Sequence, residues 1–331
     1  MSEKTGDTRR RLLQQAALAT GAAAFAAQKA RAQTADANTQ SSDEPAWKHL
    51  FPPGFRNERI KTSGAEINTV IGGSGPPVLM FHGAPQSLIT WRLIAPDLAK
   101  EYTLVMCDLR GYGDSSKPED GVNHANHSKR AMALDGVEVM QHLGYEQFRM
   151  VGHDRGGRVG RRMALEHPDR VMKLAVMDIV PAHYLYSHVT IDFVQAYFHW
   201  FNYLRKPPGP EDELLKMNQA FQARATNEIQ REYLRTSATP ANIHAMCEDY
   251  RASASIDLGY DAEDIKAGKK IQCPLLTLWA ANGAMGKLYD VLSIWKEEGV
   301  NVSGKGLPGN HSLQESAPAE TLAELQQFLR G

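Results

Sequence analysis

The chain has 331 residues, 37 Lys and Arg against 38 Asp and Glu, a formal net charge of −1, and 42% hydrophobic residues. This balance gives no electrostatic case for nucleic-acid binding. The length suits one large α/β domain carrying an insertion, and past the first 32 residues no segment is apolar enough to span a membrane.

The N-terminus reads as an export leader. Thr8-Arg9-Arg10-Arg11-Leu12-Leu13-Gln14 is a twin-arginine motif, an Ala-rich stretch runs from Ala16 to Ala27, and Ala30-Arg31-Ala32 offers a cleavage site before Gln33. Folded export to the periplasm is the expectation. Losing residues 1–32 removes six basic and two acidic residues, which leaves the mature chain at −5. Residues 33–48 are polar and small and read as a flexible tether.

From there, short apolar runs alternate with helical patterns. Strands are expected at Glu66–Ile71, Val78–Phe81, Thr103–Cys107, Phe148–Val151, Leu174–Met177, Leu275–Trp279 and Val300–Gly304. Helices fit Leu88–Lys100, His127–Leu143, Gly157–His167 and Ala317–Arg330. The βαβ rhythm predicts a mostly parallel sheet covered on both faces. Residues 181–270 break it: they are rich in aromatic and charged residues and carry amphipathic helical patterns interrupted by Pro207-Pro208-Gly209-Pro210. They read as a helical cap, inserted between a first core segment (49–180) and a second (271–331).

Cys107, Cys247 and Cys273 are odd in number and far apart, and read as buried thiols. No C-x-x-C pair or His-rich cluster points to a metal, and His124 and His127 lie in a polar stretch expected to be solvated.

Gly152-His153-Asp154-Arg155-Gly156-Gly157, after the apolar run Phe148–Val151, has the G-x-Nu-x-G-G form of a nucleophile elbow, with aspartate where serine is usual. A tight strand-to-helix turn needs small neighbours, which the glycines supply. A carboxylate is suited to displacing a leaving group from saturated carbon, giving an enzyme ester that an activated water hydrolyses. The expected chemistry is hydrolysis at an sp3 carbon bearing halide or epoxide oxygen.

Ester hydrolysis calls for a base and an acid. His311, in Pro308-Gly309-Asn310-His311 after the last strand, is the only histidine after His244. No carboxylate follows Leu275–Trp279, where the chain reads Ala280-Ala281-Asn282-Gly283, so Asp178 at the end of Leu174–Met177 is the expected partner of His311. The loop His82-Gly83-Ala84-Pro85 matches H-G-x-P, so the backbone N–H groups of Ala84 and Arg155 are the expected oxyanion donors. Asp108–Ser115 is read as a structural turn. Arg155 and Arg158 share a helix face beside the nucleophile and suit a substrate carboxylate, which favours 2-haloacids. Arg161 and Arg162 read as surface ion-pair formers.

With these residues in place, the chain from about Glu58 to its end resembles the fluoroacetate dehalogenases of the α/β-hydrolase superfamily. The G-H-D-R-G-x-R elbow carries the resemblance, with Phe198-His199-Trp200 and Cys247-Glu248-Asp249-Tyr250-Arg251 in the cap. The resemblance implies an α/β-hydrolase fold with a mostly parallel eight-stranded sheet, and His199, Trp200 and Tyr250 as donors to the departing halide. It also implies a homodimer, a small haloacid as the only substrate partner, and no metal or organic cofactor. Three departures stand out: Ala84 where the family has a bulky aromatic, Asn310 for a glycine, and Ser312 for an aromatic. The alternatives are a chloro- or bromoacid dehalogenase, an epoxide hydrolase using two of Tyr184, Tyr186, Tyr197, Tyr203, Tyr233 and Tyr250, and a non-catalytic binding protein on the same scaffold.

Overall fold

A computed structural model of the chain describes residues 47–331. The twin-arginine leader and most of the expected tether lie outside the described residues. The tether's last residues are not free: Trp47–Leu50 forms a short helix, followed by the buried Phe51.

Eight strands form one sheet: β1 (Arg56–Lys61), β2 (Glu66–Gly72), β3 (Pro77–Phe81), β4 (Thr103–Cys107), β5 (Phe148–His153), β6 (Val171–Met177), β7 (Leu275–Ala280) and β8 (Val302–Leu307). Their order is β1-β2-β4-β3-β5-β6-β7-β8. The pairs β1/β2 and β2/β4 are antiparallel and the others parallel. β3, β4 and β5 are buried almost throughout, because helices cover both faces.

Differences from the sequence reading have local causes. β1 (RNERIK) escapes a search for apolar runs, because at the sheet edge it buries only Ile60. β8 begins at Val302, since Val300 is exposed. The expected helix Leu88–Lys100 is a 3-10 turn, Leu88–Leu93, followed by the short helix Ala95–Leu98 with Pro96 in its first turn. The helix Val291–Glu298 between β7 and β8 was not anticipated; its Trp295 donates an indole N–H to the Ile179 carbonyl at 2.8 Å.

Between β6 and β7 the chain forms seven helices: Ala182–Ser187, Ile191–Ala196, Phe198–Asn202, Gly209–Gln222, Glu228–Ser237, Pro240–Ser253 and Ile256–Lys266. Ile256–Lys266 is tied to the helix Arg155–Glu166 by buried ion pairs. Arg161 meets Asp261 and Glu298 at 2.7 Å each, and Arg162 meets Asp261 at 2.5 Å and also pairs with Asp264. Both arginines are therefore interior, contrary to the expected surface role, because carboxylates of a distant segment compensate their desolvation. Among the described residues no helix is long and apolar enough to cross a membrane. All three cysteines are free; Cys107 and Cys247 are buried and Cys273 is half-buried.

The elbow depends on backbone-to-backbone contact. A Cβ on Gly156 would run into the Phe81 carbonyl oxygen, so the helix Arg155–Glu166 could not pack against β3. Gly156→Ala is expected to destabilise the protein by about 1–3 kcal/mol through overpacking, read as a lower urea midpoint; an unchanged midpoint would mean that the helix can shift freely.

Candidate active site

Asp154 sits between β5 and the helix Arg155–Glu166 at φ 46°, ψ −114°. This strained backbone holds its side chain out of both elements. Its N–H donates to the Met177 carbonyl at 3.1 Å, and Gly156 N–H donates to the His82 carbonyl at 2.9 Å. Asp154 Oδ2 accepts the Ala84 N–H at 3.1 Å, so the H-G-x-P loop lies against the carboxylate. Gly83 is needed here: a Cβ would fall 2.5 Å from Asp154 Cβ. Burial favours the protonated acid, but the charge of His311, with those of Arg155 and Arg158, outweighs it and holds the Asp154 pKa below the usual carboxylate value.

His311 Nε2 lies 4.0 Å from Asp154 Oδ2, and its Nδ1–H donates to Asp178 Oδ2 at 2.6 Å. Asp178 also has a positive φ, 53°, and its other oxygen accepts the Ala280 N–H at 2.8 Å. It follows directly on β6 and faces the end of β7. Desolvation works against protonated His311, but the bond to Asp178 and the charges of Asp178 and Asp154 prevail and raise its pKa above the ordinary histidine value. The structure thus brings Asp154, Asp178 and His311 into the order and contacts of a nucleophile, acid and base.

Asn310 and Ser312, expected from the resemblance to be departures, shape the His311 loop. Asn310 Oδ1 accepts the Ser312 N–H at 3.0 Å, and Ser312 Oγ accepts from Gln86 Nε2 at 3.1 Å. The second bond ties the His311 loop to the segment just after His82-Gly83-Ala84-Pro85.

His153 was missed in the sequence. It is fully buried, and its Nε2–H donates to the His311 carbonyl at 2.8 Å. Burial pushes its pKa down to about 4, so it is a neutral prop for the base loop. His82 plays the same part for the oxyanion loop: it donates from Nδ1 to the Gly83 carbonyl at 2.8 Å and accepts the Leu109 N–H at Nε2, 3.1 Å away. Each buried histidine flanks a site loop, a spacing visible in the sequence although the bonds are not.

Arg155 and Arg158 are both buried, but differently held. Arg155 donates Nε to Asp249 Oδ2 at 2.8 Å, and Nη2 to Asp249 Oδ1 and Ser253 Oγ at 2.6 Å each. Its buried Nη1 has no partner among the described residues. The guanidinium lies 4.2 Å over the Tyr250 ring. Arg158 donates Nη1 to the Val180 carbonyl at 2.7 Å, while its buried Nε is unpartnered and its guanidinium lies 4.8 Å over the Trp200 ring. Among the described residues no carboxylate pairs with Arg158, and burial, reinforced by the Arg155 charge, brings its pKa down to about 10. The unpartnered Tyr186 hydroxyl is also buried, and its pKa responds to both guanidiniums.

Asp249, Lys129 and Tyr112 were likewise missed. Asp249 is completely buried, accepts from Arg155 and Lys129, and takes the Tyr112 hydroxyl at 2.6 Å. Burial alone would raise its pKa, but Arg155 and Lys129 hold it far below the usual range. The turn Asp108–Ser115, expected to be structural, is held by Asp108 accepting from Leu88 N–H at 2.7 Å and Asp114 N–H at 2.9 Å. It also delivers Tyr112 to this network. The sequence signal was the run Glu248-Asp249-Tyr250-Arg251, four polar residues that are all buried.

Trp200 and Tyr250 meet edge to face with centroids 5.5 Å apart, and His199 lies 6.1 Å from Tyr250. Burial pushes the His199 pKa to about 4, so its ring is neutral with one N–H to donate. Tyr233, by contrast, is spent on Glu315.

A strand order with one antiparallel edge, an elbow after β5, an acid after β6 and a base after β8 define an α/β hydrolase. The family model for the alpha/beta hydrolase fold matches residues 76–297, and the chain belongs to that family. It is 41% identical over 288 residues to the fluoroacetate dehalogenase of Burkholderia sp., covering 83% of this chain and 94% of that one. The soluble epoxide hydrolase of Corynebacterium sp. (strain C12) is 31% identical over 277 residues, 77% of this chain and 91% of its own. A solved α/β hydrolase from Nostoc sp. PCC 7120 superimposes with a TM-score of 0.76 at 47% identity, over 83% of this chain and 98% of that chain. The chain is thus an enzyme of the hydrolase class, and the family resemblance seen in its motifs extends over most of its length.

Two outcomes follow. Asp249→Asn leaves the buried Arg155 and Lys129 under-compensated and is expected to cost about 3–5 kcal/mol, measured by urea unfolding; a loss below about 1 kcal/mol would mean that water replaces the pair. A histidine in the position of His311 can take a proton from water only when neutral, so if it is the base, turnover should fall as pH drops through its raised pKa. Asp178→Asn should move that acid limb to lower pH and cut kcat by about 10²–10⁴-fold; an unmoved limb would assign it to another group.

Proposed function

We propose that this hydrolase cleaves the carbon–halogen bond of 2-haloacids, fluoroacetate among them, to give the 2-hydroxy acid and halide. The observation that carries the reading is the pair of buried guanidiniums beside Asp154, each with an unpartnered N–H, of which Arg158 has no carboxylate partner among the described residues. Such a site favours a carboxylate next to the reacting carbon, since guanidinium bonds a carboxylate through two parallel N–H groups.

In this reading Asp154 Oδ attacks C2 of the bound acid from the side opposite the halogen. The new C–O bond forms as the C–halogen bond breaks, and the electron pair leaves with the halide. His199, Trp200 and Tyr250 donate to the departing ion, replacing part of its water shell. His311 Nε2 then takes a proton from water, and the hydroxide adds to the Asp154 ester carbonyl, whose oxyanion meets the N–H groups of Ala84 and Arg155. Collapse breaks the C–O bond to the substrate, His311 returns its proton to the departing oxygen and the remaining carboxyl proton passes to solvent, so the 2-hydroxy acid leaves and Asp154 is again a carboxylate, with a water-derived oxygen. Asp178 accepts the Nδ1–H throughout and stabilises the imidazolium. All groups in these steps come from the protein, the substrate and water.

Epoxide hydrolysis is the second reading. It is favoured by Tyr197 and Tyr250, two phenols whose pKa values burial lifts well above the ordinary value, with the Asp154 charge adding to the rise, and by the named activity of the Corynebacterium relative. A neutral epoxide would leave Arg158 without an anion, so the haloacid is preferred. Ala84 in the H-G-x-P loop leaves space for 2-haloacids larger than fluoroacetate. The reading also includes export: the twin-arginine leader would send the folded enzyme to the periplasm, with fluoride released outside the cytoplasm.

Incubation with fluoroacetate, chloroacetate or styrene oxide, followed by an ion-selective electrode for halide and by diol detection, tests this directly. Fluoride release abolished by Asp154→Asn, and kcat/KM lowered at least about 100-fold by Arg158→Leu, are the expected results. Turnover of styrene oxide with no halide from either acid would establish the second reading instead.

A further inference from the structure

Away from Asp154, the loop before the helix Lys129–His142 meets the outer face of the helix Pro240–Ser253. Three side chains with metal-ligating atoms converge there, Asp120, His244 and Glu248, and a fourth, His127, approaches Asp120. His244 Nε2 lies 2.9 Å from Asp120 Oδ1, and the ligand atoms of Asp120, His244 and Glu248 all lie within 4.8 Å of one another. His127 Nε2 is 3.7 Å from the same Asp120 oxygen. His127 is the independent pointer: its ring is completely buried, neither ring nitrogen has a hydrogen-bond partner among the described residues, and Nε2 is the nitrogen turned toward Asp120. An imidazole in that state has lost its water with nothing in exchange, which contradicts the solvated placement expected from the polar sequence around it.

The surroundings suit a cation. His244 Nε2–H donates to Asp120 Oδ1 at 2.9 Å, a proton that a bound ion would displace, and Nδ1 lies 3.4 Å from Glu211 Oε1, a carboxylate able to take the ring proton in the ligating tautomer. A ligating histidine characteristically bonds a carboxylate through its other nitrogen. Glu248 is buried and its two oxygens are divided. Oε1 takes Arg251 at 2.8 Å, and Oε2 takes His124 Nδ1 at 2.5 Å on the side of the cluster. The Arg251 charge is further answered by Glu211 at 2.7 Å. Asp120 and His244 are half-exposed, so an ion can enter from solvent. Zinc bonds to nitrogen and oxygen at about 2.0–2.2 Å set neighbouring ligand atoms roughly 3.3–3.6 Å apart. The 3.7 Å pair is close to that spacing, the 2.9 Å pair must open slightly, and His127, outside the trio whose ligand atoms all lie within 4.8 Å of one another, must close on His244 and Glu248.

We propose that His127, His244, Asp120 and Glu248 form a binding site for one divalent transition-metal ion of the zinc class, with His124 orienting Glu248. Two imidazoles and two carboxylates suit zinc rather than magnesium or calcium, which favour all-oxygen shells. The site would staple residues 120–127 to the helix that carries Asp249 and Tyr250, and so stabilise the wall behind Arg155. The ligands are spread over segments more than a hundred residues apart, at i and i+7 in one and i and i+4 in the other, which is why no contiguous motif announces them.

The test uses the untagged, chelator-dialysed protein titrated with Zn2+ by calorimetry, with bound zinc counted by mass spectrometry. One ion per chain and a rise in Tm on adding zinc are expected. Asp120→Asn combined with His244→Gln should weaken binding at least about tenfold and remove the zinc-dependent Tm rise. Both positions are half-exposed, so the metal-free Tm and circular dichroism should stay at the wild-type values. His127→Gln alone should also weaken binding. No saturable uptake by the wild type, or equal uptake by the double variant, would overturn the proposal.

Discussion

A buried guanidinium is tolerable only where its charge and N–H groups are answered, and the site is built around one such answer, Arg155 on Asp249. Both side chains are excluded from solvent. The bond joins the helix after the nucleophile to the helix Pro240–Ser253, so the same contact fixes Asp154's neighbour and the position of Tyr250. Lys129 and Tyr112 complete the shell of Asp249, bringing in the helix Lys129–His142 and the turn after β4. Pairs of this kind often add little net stability, yet they allow one geometry and penalise others.

What the network leaves over is the functional part. Asp249 consumes one edge of Arg155, Nε and Nη2, and leaves Nη1; Val180 consumes one nitrogen of Arg158 and leaves Nε. Two cations therefore stand beside one carboxylate, Asp154, whose charge they stabilise. Lys129 adds positive charge, partly balanced by Asp257, whose pKa burial lifts to about 6. A small cavity of about 20 Å3 bounded by Lys129, Arg158, Ser253 and Asp257 has room for one water among these charges. In the haloacid reading proposed above, the substrate carboxylate would complete the balance, whereas a neutral substrate would leave it open.

The parts of this arrangement differ in how visible they are along the chain. Strands β2 to β7 announce themselves as apolar runs because the sheet is covered on both faces, and edge strand β1 does not because it buries a single isoleucine. Asp154, Asp178 and His311 are legible because each ends a strand in a fold whose strand ends build the site. Asp249 and Lys129 are not, because a charged residue on a helix reads as solvated until its partner on another helix is known. His127 failed for the converse reason: a polar neighbourhood in sequence is enclosed in space by the helix Pro240–Ser253.

The central claim is that the Asp154 carboxylate bonds to the carbon of an acid held by the two arginines. Ester hydrolysis needs His311 but ester formation does not, so His311→Ala should trap the intermediate. The decisive measurement is intact and peptide mass spectrometry of that variant after exposure to fluoroacetate. The account predicts one carboxymethyl group per chain, located on Asp154, with fluoride released in equal amount. An unmodified chain under conditions where the wild type turns over, or a label on any other residue, would contradict it.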